Sequence, residues 1–294
     1  MDLGVWKTVW KTRWGYLFLL PHISLFATFF LIPVAWGAYL SLFDYNVFSQ
    51  TFVGFENYQY LFSDWLFTKA LGNTFLYTFG VVPLWLGKAL LVTVLIYPFR
   101  NSIRTFFKAI FYLPNVTSSV IISMIWLWVF NPQYGLLNYA VRSLGMEPVA
   151  WLGNQLTAMP SLIIMQVIMG GGSTIVLLSA AMASIPEYYF EAAKLEGANS
   201  WKVFTKITIP LLKPTILYAL VMGTIANFQT FSNIYIMTKG GPEFSTVTIG
   251  YLIYRTAFQF YDLGLASAMS MVMFGILVIL GIVQFKWLGS NVEY

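Results

Sequence analysis

The chain has 294 residues, of which 59% are hydrophobic and only 9% charged, with a formal charge of +5. An ordinary soluble domain carries about a quarter charged residues, so a water-facing globule and a disordered chain are both excluded, and much of the surface must face lipid. There is no cysteine and one histidine, His22, which excludes disulfides, thiolate nucleophiles and Cys- or His-rich metal sites.

A hydrocarbon core of about 30 Å needs roughly 20 apolar residues in a helix. Long charge-poor runs predict spans over 16–40, 71–97, 107–130, 162–183, 216–237 and 266–285. None alternates with period two, which excludes a β-barrel. The first span follows Lys7, Lys11 and Arg13. Its apolar run is longer than a signal core, and it holds Trp36 and Tyr39 rather than a small-residue cleavage site, so a retained helix is expected. Asn73 and Thr74 open the second span as a helix-start or packing pair. Lys88, its one charge, is expected to snorkel toward the cytoplasmic side.

The placement of Lys and Arg orients the spans. Lys7, Lys11, Arg13, Arg100, Arg104, Lys108, Lys194, Lys202, Lys206, Lys213 and Lys286 fall on one side. Lys69, Arg142, Lys239 and Arg255 fall on the other. The positive-inside rule puts the first side, with both termini, in the cytoplasm. The excess charge therefore reports topology and not nucleic-acid binding. The expected fold is a single all-α integral membrane domain over 1–294, with six transmembrane helices and lipid as its surroundings. The outer loops, 44–69, 131–160 and 239–265, each leave room for a short helix or a gate.

One cytoplasmic loop, 185–213, reads like soluble protein. Glu187, Glu191, Lys194, Glu196, Lys202, Lys206 and Lys213 crowd into it. Ser184-Ile-Pro-Glu187 has the pattern of a capping box with proline in the first turn. Gly197 sits where a helix C-terminus favours a left-handed residue. Asn199 or Ser200 can cap a second short helix through Trp201, Phe204 and Ile207, and Pro210 and Pro214 are expected to close it. The prediction is a projecting pair of short helices with a partly apolar face, suited to docking a cytoplasmic partner.

Glu191-Ala-Ala, three residues, Gly197, nine residues, Ile207, one residue and Ile209-Pro210 together resemble the EAA loop of ABC-importer permeases. The departure is Ile209, where the family pattern has Leu. Phe52-Val-Gly-Phe-Glu-Asn-Tyr58, Ala70-x-x-Asn73-Thr74, Leu113-Pro114, Trp126 and Thr238-Lys-Gly-Gly-Pro242 resemble the carbohydrate-importer branch, and within it the first permease of maltose- and glycerol-phosphate-type importers. The resemblance implies a second homologous permease, two cytoplasmic ATPase subunits, an extracytoplasmic solute-binding protein and residence in a bacterial or archaeal cytoplasmic (inner) membrane. It places ATP and magnesium on the partner ATPases, with no cofactor on this chain; no G-x-x-x-x-G-K-[ST] run is present. It also implies that Glu191, Ala192, Ala193, Glu196, Gly197, Ala198, Phe204, Ile207 and Pro210 meet the ATPase. Glu191 would face a basic residue, Ala192 and Ala193 would allow close approach, and Gly197 would turn the chain.

Polar groups inside spans mark a candidate solute path. Gln166, the Gly170–Gly172 run, Ser173 and Thr174 lie in the fourth span; Asn227, Gln229, Thr230, Ser232 and Asn233 lie in the fifth. Three successive glycines each disfavour a helix by about 1 kcal/mol relative to alanine, so a kink exposing carbonyls is expected. By the resemblance, Asn227 and Thr230, expected on one helix face, together with Gly170 and Ser173, are carried-over solute contacts, with Thr174 and Gln229 beside them. For Gln166, Ser232 and Asn233, helix packing is the favoured role. These two spans contain no Asp, Glu, Lys or Arg, which favours a neutral saccharide; the alternative is the same machinery for a polyol, glycerol phosphate or an acidic oligosaccharide. An intramembrane enzyme is disfavoured, because apart from Lys88 and His22 no acid–base group lies in a span.

Overall fold

A computed structural model of the chain describes residues 13–46 and 49–289; Lys7 and Lys11 lie outside them. In chain order the elements are α1 (Arg13–Phe26), a π turn (Ala27–Leu31), α2 (Ile32–Leu40), β1 (Phe43–Tyr45), β2 (Gln50–Phe52), α3 (Glu56–Ser63) and α4 (Trp65–Ile96). Next come α5 (Asn101–Val116), α6 (Ser119–Val129), α7 (Leu136–Ser143), α8 (Gln155–Met169) and α9 (Gly172–Ala183). Then follow α10 (Tyr188–Leu195), α11 (Ser200–Val203), a second π turn (Phe204–Thr208), α12 (Ile209–Phe228), α13 (Ser232–Met237), α14 (Ile249–Phe258) and α15 (Leu263–Leu288).

Among the described residues four helical runs are long and apolar enough to cross a membrane: Leu17–Leu40, Trp65–Ile96, Ser200–Met237 and Leu263–Leu288. Two bent pairs reach that length together: α5 with α6 at 96°, and α8 with α9 at 44°. The 96° bend corrects the expectation of one straight helix over 107–130. Pro114 supplies no N–H, Thr117 and Ser118 are extended, and Ser118 Oγ starts α6 afresh by accepting the Val120 N–H at 3.3 Å. The second span begins earlier than predicted, because Asp64 caps α4 by accepting the Leu66 N–H at 3.0 Å. The three outer loops contain α3, α7 and α14. Among the described residues the hairpin β1–β2, antiparallel with Phe43 opposite Phe52, is the exception to an all-α fold.

Both π turns have the same cause. Pro33 and Pro210 each offer no N–H to the carbonyl four residues earlier, and that residue, Phe29 or Lys206, lies in the π turn. Widening the turn absorbs the missing bond without ending the helix. Pro210 and Pro214 therefore do not close a second short helix, as expected; α11 runs through the π turn into α12.

The chain packs as two compact units. In the unit formed by Met1–Ser63 and Arg255–Val272, the hairpin meets the start of α15. A Cβ at Gly264 would lie 2.1 Å from the Phe43 carbonyl oxygen, so only glycine permits that approach. Asn57 Nδ2 donates to the Ser41 and Phe43 carbonyls at 2.9 Å each, fixing α3 against the hairpin. His22 is exposed on α1.

The unit formed by Asp64–Tyr254 and Met273–Tyr294 has a core of α4, α9 and α12, built from Leu86, Ala89, Ile175, Leu178, Leu212, Ile216 and Ala219. Lipid tails are as apolar as leucine, so burial alone does not hold such helices together; close packing past small residues does. Ala89 and Ala219 serve that purpose here. Asn73 and Thr74 lie well inside α4 and do not start it. Asn73 Nδ2 donates to the Phe244 and Val247 carbonyls at 2.9 Å, and Thr74 Oγ1 accepts the Ile249 N–H at 2.9 Å. Both tie α4 to the segment before α14.

Candidate functional site: a polar cavity above a projecting turn

The expected break in the fourth span is present, and its geometry is specific. The helix α8 ends at Met169, Gly170 is extended, and Gly171 adopts φ +95°, before α9 restarts at Gly172. A Cβ at Gly171 would fall 2.8 Å from Trp85 Nε1, and one at Gly172 would fall 2.2 Å from the Phe111 carbonyl oxygen. Each glycine thus has a local reason: a left-handed turn, or a neighbour lying directly against its backbone.

Lys88 completes the break. Its Nζ donates to the carbonyls of Val167 (2.5 Å), Ile168 (3.0 Å) and Gly170 (2.5 Å). These groups end a helix and have no intrahelical donor, and they carry the negative end of its dipole. The ammonium replaces the missing donors. This corrects the expected snorkelling: a charge inside a span reaches a closer partner than the interface.

Beside the break is an open cavity of about 540 Å3, lined by residues of α4, α5, α8, α9 and α12. Gly170, Ser173, Thr174 and Asn227, all expected at the solute path, line it. Gln229 and Thr230 do not. The helix α12 ends at Phe228, and Gln229–Phe231 is a non-helical break before α13, so helical spacing from Asn227 does not extend to Thr230. Asn227 Nδ2 donates to its own Gly223 carbonyl at 2.9 Å.

Trp85, Asn115 and Tyr218 are among the lining residues that escaped the sequence reading. Asn115 lies in the last turn of α5, outside the two spans searched for solute contacts, and donates from Nδ2 to Ser173 Oγ at 3.3 Å. Trp85 packs against the glycines at the break and against Gly223, where a Cβ would come within 2.6 Å of its ring. Gln166, assigned to packing, does both jobs. Its Oε1 accepts from Asn233 Nδ2 at 3.1 Å, Asn233 Oδ1 accepts from Ser123 Oγ at 3.0 Å, and Gln166 still lines the cavity. The lining contains no Asp, Glu, Lys or Arg.

Below α9 lies the 185–213 segment. The expected capping box does not form, because Ser184 Oγ turns back to the Ala181 carbonyl at 2.7 Å and α10 starts at Tyr188 with no side-chain cap. Gly197 has φ +72°, as expected of the turn. The Ala198 N–H donates to the Ala193 carbonyl and the Gly197 N–H to the Lys194 carbonyl, at 2.9 and 3.0 Å, which is a Schellman stop. Asn199, the first of the two candidates, caps α11 by accepting the Lys202 N–H at 2.8 Å. Glu191, Ala192 and Glu196 are exposed, as are Leu195 (90%) and Trp201 (70%), a degree of exposure that leaves an apolar surface open. Ala193, expected beside Ala192 on the docking face, instead points into the fold and is buried. Ala198, Phe204 and Thr208 line a second cavity of about 330 Å3 behind the turn, while Ile207 is half-buried and Pro210 exposed.

These features define a multi-pass membrane protein with a broken helix, a neutral polar cavity and an exposed turn, which is the construction of a transport subunit. The chain belongs to the family described as binding-protein-dependent transport system inner membrane component, which matches residues 86–293. It is 34% identical over 283 residues to the probable ABC transporter permease protein YurN of Bacillus subtilis, covering 95% of this chain and 97% of that protein. It is 33% identical to the multiple sugar-binding transport system permease protein MsmF of Streptococcus mutans, covering 95% and 97%. Its fold is similar to a chain in the crystal structure of a bacterial alginate ABC transporter in complex with an alginate pentasaccharide-bound periplasmic protein. There the TM-score is 0.81, the identity 24%, and the coverage 96% of each chain. The chain is a transport permease subunit of a binding-protein-dependent system and not an enzyme.

Proposed function

We propose that this chain is one of two permeases that form the path of an ABC importer for a neutral mono- or oligosaccharide, in a bacterial or archaeal cytoplasmic membrane. Six crossings with both termini in the cytoplasm are supported by the four long helical runs, by the two bent pairs counted as one span each, and by the positive-inside rule. The observation that carries the solute reading is the cavity. It pairs neutral donors and acceptors (Asn115, Gln166, Ser173, Thr174, Asn227) with the aromatic faces of Trp85 and Tyr218. Hydroxyl-rich rings need both kinds of surface, and an acidic solute would need a cation that the lining lacks. Lys88, the nearest candidate, is already held by three carbonyls. The name of the Streptococcus relative points to the same solute class.

The exposed turn at Gly197 is the docking element for one of two ATPase subunits, which bind ATP and magnesium. Glu191, Ala192, Glu196, Leu195 and Trp201 offer the surface. The turn joins α10 to the helical run that reaches the cavity, so a push on it moves Asn227. A binding protein delivers the solute to the opposite face.

The test is reconstitution with a partner permease, ATPase subunits and a binding protein, followed by solute-stimulated ATP hydrolysis across a panel of neutral, phosphorylated and acidic saccharides. Stimulation by neutral members is expected. Failure to assemble with any ATPase would overturn the importer reading, and stimulation confined to acidic members would overturn the neutral one.

A further inference from the structure

The helix α5 turns apolar residues outward and two cations inward, the reverse of a helix in water. Phe106, Phe107, Ile110 and Leu113 are exposed, whereas Arg104 and Lys108, one turn apart on one face, are half-buried. With Asn101 they line a cavity of about 90 Å3 whose other walls include Thr93, Tyr97 and Ser179. No carboxylate lines it. Arg104 donates from Nε to the Phe99 carbonyl at 2.6 Å and lies over the Tyr97 ring, which leaves the outer guanidinium N–H groups for another acceptor. The Ser179 hydroxyl oxygen is fully covered and has no hydrogen-bond partner. Turning two cations inward without an anion is costly, and a covered hydroxyl without a partner is a second sign that an acceptor belongs there.

We infer that this cavity binds a phosphate-bearing anion, held by Arg104, Lys108, Asn101 and Ser179. A guanidinium and an ammonium converging with neutral donors form a phosphate-binding set. The exposed apolar residues of the same helix make an anionic lipid headgroup the favoured source, since acyl chains can lie along Phe106, Phe107 and Ile110 while the phosphate enters the cavity. Free inorganic phosphate is the other source of the same chemistry. The site is separate from the solute cavity, with which it shares no lining residue.

Native mass spectrometry of the full chain, released from detergent with phosphatidylglycerol, with phosphatidylcholine or with inorganic phosphate, tests this. Phosphatidylglycerol adducts are expected to exceed phosphatidylcholine adducts and to fall roughly tenfold or more in the pair Arg104→Gln, Lys108→Gln. The pair Lys202→Gln, Lys286→Gln removes the same charge from exposed positions and should leave them unchanged. Ser179→Leu fills the cavity while keeping both cations; it should also lower occupancy, and it decides the matter if the first pair does not fold. Phosphate binding with the same sensitivity to these variants, and no lipid preference, would support the anion site and assign it to soluble phosphate. Equal adducts in wild type and in the cavity variants, with no phosphate binding, would overturn the inference.

Discussion

Lys88 shows how one residue can hold a helix open. Its ammonium meets three carbonyls at the end of α8, and Gly171 turns the chain away in a left-handed conformation. Replacing Lys88 by Met leaves those carbonyls without a donor. Each orphaned acceptor costs about 1–3 kcal/mol when buried, reduced here because the site borders an open cavity. The purified Lys88→Met permease is expected to melt several degrees lower than wild type, with Lys88→Arg recovering part of the loss because it keeps a cationic donor. An unchanged melting temperature in Lys88→Met would show that the contact carries no weight. The glycine break was legible in the sequence because three successive glycines oppose a helix wherever they fall. The partner of Lys88 was not, since Val167–Gly170 lies some 80 positions away and only packing brings the two together.

At the scale of elements, the spans were legible wherever hydropathy alone decided them and lost wherever a proline or a cap did. The predicted span over 107–130 missed a right-angle bend, because the bend depends on Pro114 and on Ser118 starting a new helix. The expectation at Pro210 and Pro214 failed in the other direction: a π turn let the helix continue through residues that normally end one. In the 185–213 segment the Gly197 turn and the cap at Asn199, one of two candidates, were legible, because a left-handed glycine followed by a capping asparagine is local chemistry. Gly197 has φ +72°, and nothing lies within 4 Å of where its Cβ would be. A side chain there meets no clash and only a backbone penalty, about 1–2 kcal/mol for an ordinary residue. Gly197→Val should therefore distort the angle between α10 and α11, lowering uptake per ATP hydrolysed in the reconstituted importer. Gly197→Asn, which tolerates the left-handed region, should stay close to wild type. Normal coupling in Gly197→Val would mean that the angle of this turn does not transmit the ATPase stroke.

Across the molecule, the polar cavity and the turn are joined through few parts. The helix α9 runs from the glycine break toward α10, and the α11–α12 run returns from the turn to Asn227. Trp85 fills the space between them, in contact with the Gly170–Gly171 backbone on one side and Gly223 on the other. Glycine at both contacts lets the indole lie against bare backbone, so its volume sets how far apart the two helices stand. Removing a large aromatic from such a site leaves a void that neighbours fill only in part, at a cost of about 3–5 kcal/mol in well-packed cores. In Trp85→Ala the two helices are expected to close on each other and narrow the cavity. Uptake should fall while the permease still assembles with its ATPases, and ATP hydrolysis should become less dependent on the solute. Trp85→Phe keeps most of the spacer and should retain most of the uptake. Both readouts come from one reconstituted preparation, as uptake and ATPase rate with and without the delivered saccharide. Wild-type uptake in Trp85→Ala would mean that the spacing of the path is set elsewhere, and that Trp85 is a cavity wall with no part in coupling.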